Sequence, residues 1–378
     1  MILTKSVVFF WPDGRFENVH WIKEAGQISL YFSKRGFQTT IMVQIMNANN
    51  IPENIEVIQL LTEKFRRIFQ NPKSESGHIG WQVMALFNFP KVLSYLIKRN
   101  PDLLIVEHTG GPITLFTLLL YRSHLKKNKI SRMILRYDLD PNVKVGIFFK
   151  LQHRLVLNVF DIVAVESKCA YDVLLNIKQS PKIKIVPNGY WPHEVVINNS
   201  DRENVILSVG RVSKQKGHEI LIQSFAKAHS LHPDWILKIA GQIEDKQYYA
   251  ELREMVKNLG LTEYVRFLGY MSPRELEREY KSASIFCLLS RYEGFSIARA
   301  EAMSYGLPAI ISSAGCGGEY EKYGTIVVPI GDIDKAAEAM LRLIEDPALR
   351  EKISRQQLGG ILSWDKVGEE IEKVVLST

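Results

Sequence analysis

The sequence predicts two α/β domains, each a doubly wound parallel sheet with helices on both faces. Three observations predict this. Short apolar runs alternate with stretches of helical period, and the alternation stops near Pro187 and restarts near Asn204. Several of these runs, such as DLLIVE at 102–107, are apolar on successive residues, as strands buried on both faces are. The length, 378 residues, suits two domains of ordinary size. The boundaries follow as a first domain over 1–188, a linker over 189–203 with little periodicity, and a second domain over 204–364.

In the first half, residues 7–10 predict a strand and WPDGR at 11–15 a turn. A helix is expected over 17–35, stopped by Gly36, then strands over 39–44 and 55–59. Residues 79–99 read as a helix kinked or broken at Pro90. Strands follow at 102–107, 132–137, 161–165 and 184–186, with an apolar helix ending in basic residues over 115–129. Pro187-Asn188-Gly189 is a turn signal that closes this half.

In the second half, strands are expected at 204–209, 235–240, 265–268, 285–289, 309–311 and 325–328. Helices are expected at 217–228, 333–344 and 347–354. Tyr292–Ile311 reads as a loop, a short helix and a turn into a buried strand, because Leu307-Pro308 disfavours further helix.

Composition is that of a globular protein, 46% hydrophobic and 24% charged. Cys169, Cys287 and Cys316 are widely spaced and odd in number, which predicts neither a disulfide framework nor a zinc site. No apolar run reaches the roughly 18 residues that a membrane span needs, and MILTKSVVFFW reads as a first strand rather than a leader. These features point to the cytoplasm. Charge is uneven: up to Pro187 there are 25 Lys and Arg against 14 Asp and Glu, and beyond it 23 against 27. A basic first half predicts an anionic partner such as a membrane surface. Two stretches suit lipid contact, EKFRRIF at 63–69 and the basic end of 115–129. No basic motif interleaved with aromatics predicts nucleic-acid binding.

In parallel α/β sheets ligands bind beyond the carboxyl ends of the strands, so each strand-to-helix loop is a candidate. In the first half these loops carry Gly14 and Arg15, then His108 ahead of Thr109-Gly110-Gly111-Pro112, then Tyr137 and Asp138. In the second half, Gly210-Arg211 and Lys216-Gly217 bracket a loop after the first strand. Arg211 offers a planar fork of donors and Lys216 a point charge, together enough to neutralise a diphosphate. The spacing is neither a Walker A loop nor a Gly-x-Gly-x-x-Gly fingerprint. Glu293 and Glu301, eight residues apart, are expected on one side of a helix. Gly294 permits close backbone approach, and the amides after it lie at a helix N-terminus suited to an anion.

The combination of Gly210-Arg211, Lys216-Gly217, Glu293-Gly294-Phe295-Ser296, Glu301-Ala302-Met303 and Gly306-Leu307-Pro308 resembles the retaining glycosyltransferases of family 4. Pro187-Asn188-Gly189 is similar to that family's junction signal. Ser363-Trp364-Asp365 resembles its C-terminal segment, which crosses back so that a helix over 365–378 joins the first domain. The resemblance implies the GT-B architecture, two Rossmann-like domains facing a central cleft. It implies a nucleotide-sugar donor such as UDP-glucose, UDP-GlcNAc or GDP-mannose, and no cofactor or catalytic metal. Arg211 and Lys216 would hold the diphosphate, with Gly210 beside them. Glu293 and the backbone of Gly294, Phe295, Ser296 and Ile297 would meet the sugar or distal phosphate. Glu301 would hold the ribose, and Gly241, Gly269, Tyr270 and Met271 would meet the base. The catalytic set would be Arg211, Lys216, Glu293 and His108. A lipid-linked or glycan acceptor would meet Gly14, Arg15, His108, Tyr137 and Asp138.

The first half departs from the family pattern in having one glycine where two are frequent, and Tyr137-Asp138 where a His-Asp pair is frequent. Two other readings are a nucleotide-sugar epimerase or phosphorylase on the same architecture, and a sugar binder without catalysis. The paired basic and acidic motifs favour the transferase.

Overall fold

The computed structural model describes residues 5–16, 20–21, 24–61, 77–108, 111–128, 131–137, 139, 145–190, 202–293, 296–360 and 362–376; the side chains of 13–15, 77–84, 126–128 and 376 fall outside that description. The described residues form two compact units. Unit 1 takes those up to Gly189 and those from Trp364 on, and unit 2 those from Tyr190 to Ser363.

Unit 1 runs β1 (Ser6–Phe16), α1 (Glu24–Lys34), β2 (Gln38–Met46), β3 (Ile55–Gln59), α2 (Gly77–Arg99), β4 (Leu103–Glu107), α3 (Gly111–Asn128), β5 (Arg132–Tyr137), α4 (Ile147–Val159), β6 (Ile162–Val165), α5 (Lys168–Ile177) and β7 (Ile183–Ile185), and ends with α12 (Trp364–Leu376). Its strands form one seven-stranded sheet in the order β3-β2-β1-β4-β5-β6-β7. Every recorded pairing in it is parallel. All of β4, apolar up to Glu107, and all of β6 are buried, as strands covered on both faces are.

Two expectations change here. Residues 11–15 are not a turn: Trp11 pairs with Val43 and Arg15 with Ile45, so four residues of β1 span two of β2. A bulge leaves residues outside the ladder, which suits Pro12 because it has no N–H to donate. Gly14 and Arg15 therefore lie in the bulged strand and not in a loop beyond it. Nor does Pro90 break its helix. α2 continues across it, with Ala85, Asn88, Val92 and Leu96 buried at helical spacing.

The helix α12 packs on α1. The Tyr31 hydroxyl donates to Glu372 Oε2 at 3.0 Å, and Gly368 lies so close to the Tyr31 ring that a Cβ there would come within 2.3 Å of it.

Unit 2 repeats the plan with β8 (Val205–Val209), α6 (His218–His229), β9 (Ile236–Ala240), α7 (Lys246–Asn258), β10 (Val265–Gly269), α8 (Pro273–Ser282), β11 (Ile285–Leu288), α9 (Ile297–Ser304), β12 (Ala309–Ser312), β13 (Ile326–Val328), α10 (Ile333–Glu345) and α11 (Pro347–Gly359). Its six strands lie in the order β10-β9-β8-β11-β12-β13. Alternate residues of each strand feed opposite cores, as the two-residue period requires. Ile206, Ile285, Cys287 and Ile310 join the core under α6 and α10. Val205, Leu207, Phe286, Leu288 and Ile311 join the one containing Tyr280, Ala302 and Tyr305.

In both sheets the strand order reverses once, between β1 and β4 in unit 1 and between β8 and β11 in unit 2. Chains leaving two adjacent strands on opposite faces open a crevice at their carboxyl ends, which is where ligands of such sheets sit.

Candidate active site

At the unit 2 switch point the loop after β8 meets the loop after β11. Lys214–Lys216 forms one 3-10 turn. Gly217 ends it in the left-handed region at φ 63°, and a Cβ there would lie 2.3 Å from the Leu289 carbonyl oxygen. Across the gap, Arg291 N–H donates to the Gln215 carbonyl at 2.8 Å, and Gln215 Nε2 donates to that of Tyr292 at 3.3 Å. These contacts bring Lys216 Nζ to 2.6 Å from Glu293 Oε2, with the two side chains only 12% and 17% exposed. Ser290 Oγ donates to the same oxygen at 2.9 Å. Gly315, at φ 60°, lies under Glu293, and a Cβ there would lie 1.7 Å from the Glu293 carbonyl oxygen. Two glycines thus set the positions of the two members of the pair.

Glu293 and Glu301 do not share a helix face. Ser296 caps α9, its side chain accepting from Arg299 N–H, so Glu293 remains in the loop before the helix. Glu301 lies inside α9 and accepts from the Tyr280 hydroxyl at 2.8 Å. Tyr280 is stacked on Tyr305 at 5.3 Å between ring centres. Tyr190 also hydrogen-bonds Glu301. Burial first, and then the carboxylate, push the Tyr190 and Tyr280 hydroxyls up, so both are neutral donors to it.

Arg211 stands apart from Lys216. It pairs with Glu244 at 2.5 Å and is about half exposed. Gly210 N–H donates to the Ala240 carbonyl at 2.9 Å and Gly241 N–H to that of Gly269 at 2.8 Å, so these three glycines line adjacent strand ends. Tyr270, beside them, is 78% exposed, and Met271 is half-buried. Ser296 and Ile297 form the start of α9, while Gly294 and Phe295 lie outside the described residues.

Sequence reasoning missed Arg299. Its side chain is buried, its guanidinium lies 3.2 Å from the centre of the Tyr320 ring, and Nη1 contacts Met303 Sδ at 3.0 Å. Burial lowers the pKa of this guanidinium, while Tyr320 and Glu293 act to raise it. Arg299, Glu293, Ser290, Ser296, Ser312 and Tyr320 line a cavity of about 20 Å³, room for about one water. An arginine on a helix whose neighbours are alanines was the available signal.

In unit 1, His108 follows β4 at its switch point. It adopts φ 61°, a region few residues other than glycine occupy, and its N–H donates to the Arg136 carbonyl at 3.0 Å. Its ring meets Trp11 edge-on at 5.9 Å, and Trp11 meets His20 at 5.0 Å. Such strain persists where surrounding structure over-determines it, often at functional positions. Tyr137 is a correction. Its ring is buried in the unit 1 core at 8% exposure, and burial holds its hydroxyl up at about 12. It lies in that core because β5 alternates faces and position 137 falls on the same face as Met133 and Leu135. Asp138, Thr109 and Gly110 lie outside the described residues, as do the side chain of Arg15 and the stretch 63–69.

Asn188 has a contact that spacing did not suggest. Fully buried Arg136 donates through Nη1 to the Val186 carbonyl at 2.8 Å and through Nη2 to Asn188 Oδ1. Asn188 Nδ2 donates to Glu166 at 2.7 Å and to Glu24 at 2.8 Å. This network ties the ends of β5, β6 and β7 to the start of α1.

Two Rossmann-like units of seven and six parallel strands, with basic and acidic loops facing each other at the second switch point, are the GT-B architecture. Residues 191–357 match the family model described as glycosyl transferases group 1. The chain is 33% identical over 230 residues to an uncharacterised glycosyltransferase of Methanocaldococcus jannaschii, covering 55% of this chain and 58% of that protein. It is 26% identical to mannosylfructose-phosphate synthase of Agrobacterium fabrum, over 63% of this chain and 57% of that one. The matches thus span a little over half of each relative. Among solved structures, the fold is similar to that of HepE of Anabaena in complex with UDP, at TM-score 0.71 and 15% identity over 99% of this chain and 100% of that one. A glycosyltransferase of Rickettsia africae matches at TM-score 0.73 and 15% identity, over 99% and 98%.

Proposed function

We propose that this protein is a retaining glycosyltransferase that moves a hexose-type sugar from a nucleotide diphosphate sugar to a lipid-linked or glycan acceptor. The observation that carries the reading is the Lys216–Glu293 pair at the unit 2 switch point, which brings together the two motifs on which the family resemblance rests. The relatives named as glycosyltransferases and the HepE complexes with UDP and UDP-glucose support it.

In this reading, the arriving diphosphate exchanges with Glu293 for Lys216, and Arg211 swings from Glu244 to the same anion. Fixed cations then stabilise charge as it develops on the leaving phosphate. Glu293, released from Lys216, accepts from sugar hydroxyls, with the N-terminal amides of α9 from Ser296 and Ile297 beside it. Glu301, held by Tyr280 and Tyr190, accepts from the ribose. Gly241, Gly269, Tyr270 and Met271 line the base. His108 and Asp138 meet the acceptor. The two cations do the neutralising work that a divalent metal does elsewhere, so transfer is expected to survive chelation by EDTA. The protein acts in the cytoplasm, with peripheral contact at the inner face of an anionic membrane.

The test is a panel of UDP- and GDP-sugars assayed for thermal shift and donor hydrolysis. One donor should stabilise the protein and be hydrolysed slowly, and both effects should fall in Lys216→Ala. Stabilisation without hydrolysis or transfer under any acceptor would favour a sugar binder. No response to any nucleotide sugar would overturn the reading.

A further inference from the structure

The three consecutive helices α2, α3 and α4 contain no aspartate or glutamate; their charged residues are lysines and arginines alone. The helices are neighbours, α3 packing against both α2 and α4. On the same helices large apolar side chains stand in solvent: Phe148 at 84% exposure, Ile147 at 70%, Phe87 at 64%, Leu86 at 58%, Leu151 at 55% and Phe116 at 53%. Ile147, Phe148 and Leu151 fall on the first turns of α4. Lys150 and Arg154 are exposed on that helix too. The fully buried residues of α4 are His153, Val156, Leu157 and Val159, and Phe149 packs at the edge of the same core, which leaves Ile147, Phe148 and Leu151 on the side turned to solvent.

We propose that this face is a docking surface for an anionic phospholipid bilayer. Exposed aromatic and branched side chains gain by entering the acyl boundary, and the exposed Lys150 and Arg154 beside them gain by meeting anionic headgroups, whereas Arg99 and Arg122 are already paired with Glu56 and Asp161. A polyanion such as RNA would satisfy the cations and leave Ile147, Leu151 and Leu86 in water, so the pairing of the two chemistries favours lipid. α3 and α4 also begin beyond the carboxyl ends of β4 and β5, the edge that carries His108. A bilayer at this face would present a lipid-anchored acceptor at that edge. This last point rests on the transferase reading; the docking itself does not.

The experiment is flotation of the full chain with vesicles of about one-third phosphatidylglycerol in phosphatidylcholine, beside pure phosphatidylcholine vesicles. The protein should float with the anionic vesicles at low salt and be released as salt rises. Lys150→Gln/Arg154→Gln should weaken binding about thirtyfold, and Ile147→Ser/Phe148→Ser at least about tenfold. All four side chains are exposed, so the melting temperature should not move. UDP- and GDP-sugar binding should be the same in both variants as in the parent, which separates failure of this surface from failure of the donor reading. The proposal is overturned by absence of flotation at low salt, by equal flotation of the Ile147→Ser/Phe148→Ser variant, or by RNA capture as strong as vesicle binding and indifferent to that change.

Discussion

Replacing Lys216 with alanine tests the site most directly. The pair is 2.6 Å apart with side chains 12% and 17% exposed. A hydrogen bond between charged groups contributes about 1.5–3 kcal/mol, and the residual exposure keeps this pair below the 3–5 kcal/mol typical of breaking a fully buried one. About 2 kcal/mol is expected. At roughly 2–4 °C per kcal/mol for a domain of this size, unit 2 should melt about 4–8 °C lower. It should stay folded, because Ser290 Oγ still donates to Glu293 Oε2. In Lys216→Ala/Glu293→Ala no carboxylate is stranded, so the two single losses should exceed the double loss by about 2 kcal/mol. Denaturant melts of the four proteins measure this coupling. If transfer proceeds as proposed, Lys216→Ala should lower turnover about 10²–10³-fold, the usual loss when one fixed donor to a developing anion is removed. Additive stabilities would refute the pair as a structural unit, and full turnover in Lys216→Ala would refute the diphosphate role.

Glu293→Ala should lose turnover more than nucleotide affinity, and equal losses in both would argue against a sugar contact. Gly315→Ala should destabilise unit 2 by about 2 kcal/mol or more, since a left-handed non-glycine residue alone costs roughly 1–2 kcal/mol and its Cβ would also collide with the Glu293 carbonyl; an unchanged melt would remove the proposed seat for Glu293. Tyr280→Phe should lower nucleotide affinity without unfolding, because Glu301 then loses a donor; calorimetric titration with the preferred nucleotide reads it directly. Burial lowers His218 to about 4. The unfolded chain takes up that proton near pH 6.5 and the native state does not, so stability is full above about 6.5 and falls by roughly 3 kcal/mol toward pH 4. His218→Leu should flatten that slope in unit 2, and an unchanged slope would assign the loss elsewhere.

Much of the fold was legible because burial on both faces writes itself into the sequence. Runs such as 103–106 and 285–289 are apolar at every position, and a strand covered on both sides tolerates little else. Pro12 was misread as part of a turn, and the break that Pro90 allowed does not occur. At Pro12 the missing N–H was absorbed by a bulge, and at Pro90 burial of Ala85, Val92 and Leu96 outweighed the lost helix bond. The α4 and α5 helices, short and flanked by loops, gave no expectation at all, yet α4 supplies the most exposed apolar side chain of the described residues, Phe148.

The sequence by itself determined that the chain has two parallel α/β units and that its motifs resemble group 1 glycosyltransferases. Hydrophobic period and motif spacing are local properties of the chain, readable without contacts. Which groups meet was decided by the tertiary structure. Glu293 and Glu301, one spacing in sequence, divide between Lys216 in a loop and Tyr280 across a helix interface. Tyr137 turned inward, Arg299 was buried behind Glu293, and three helices without acids gathered onto one face. Each depends on residues tens of positions apart brought together by packing, and a linear pattern carries no record of that distance.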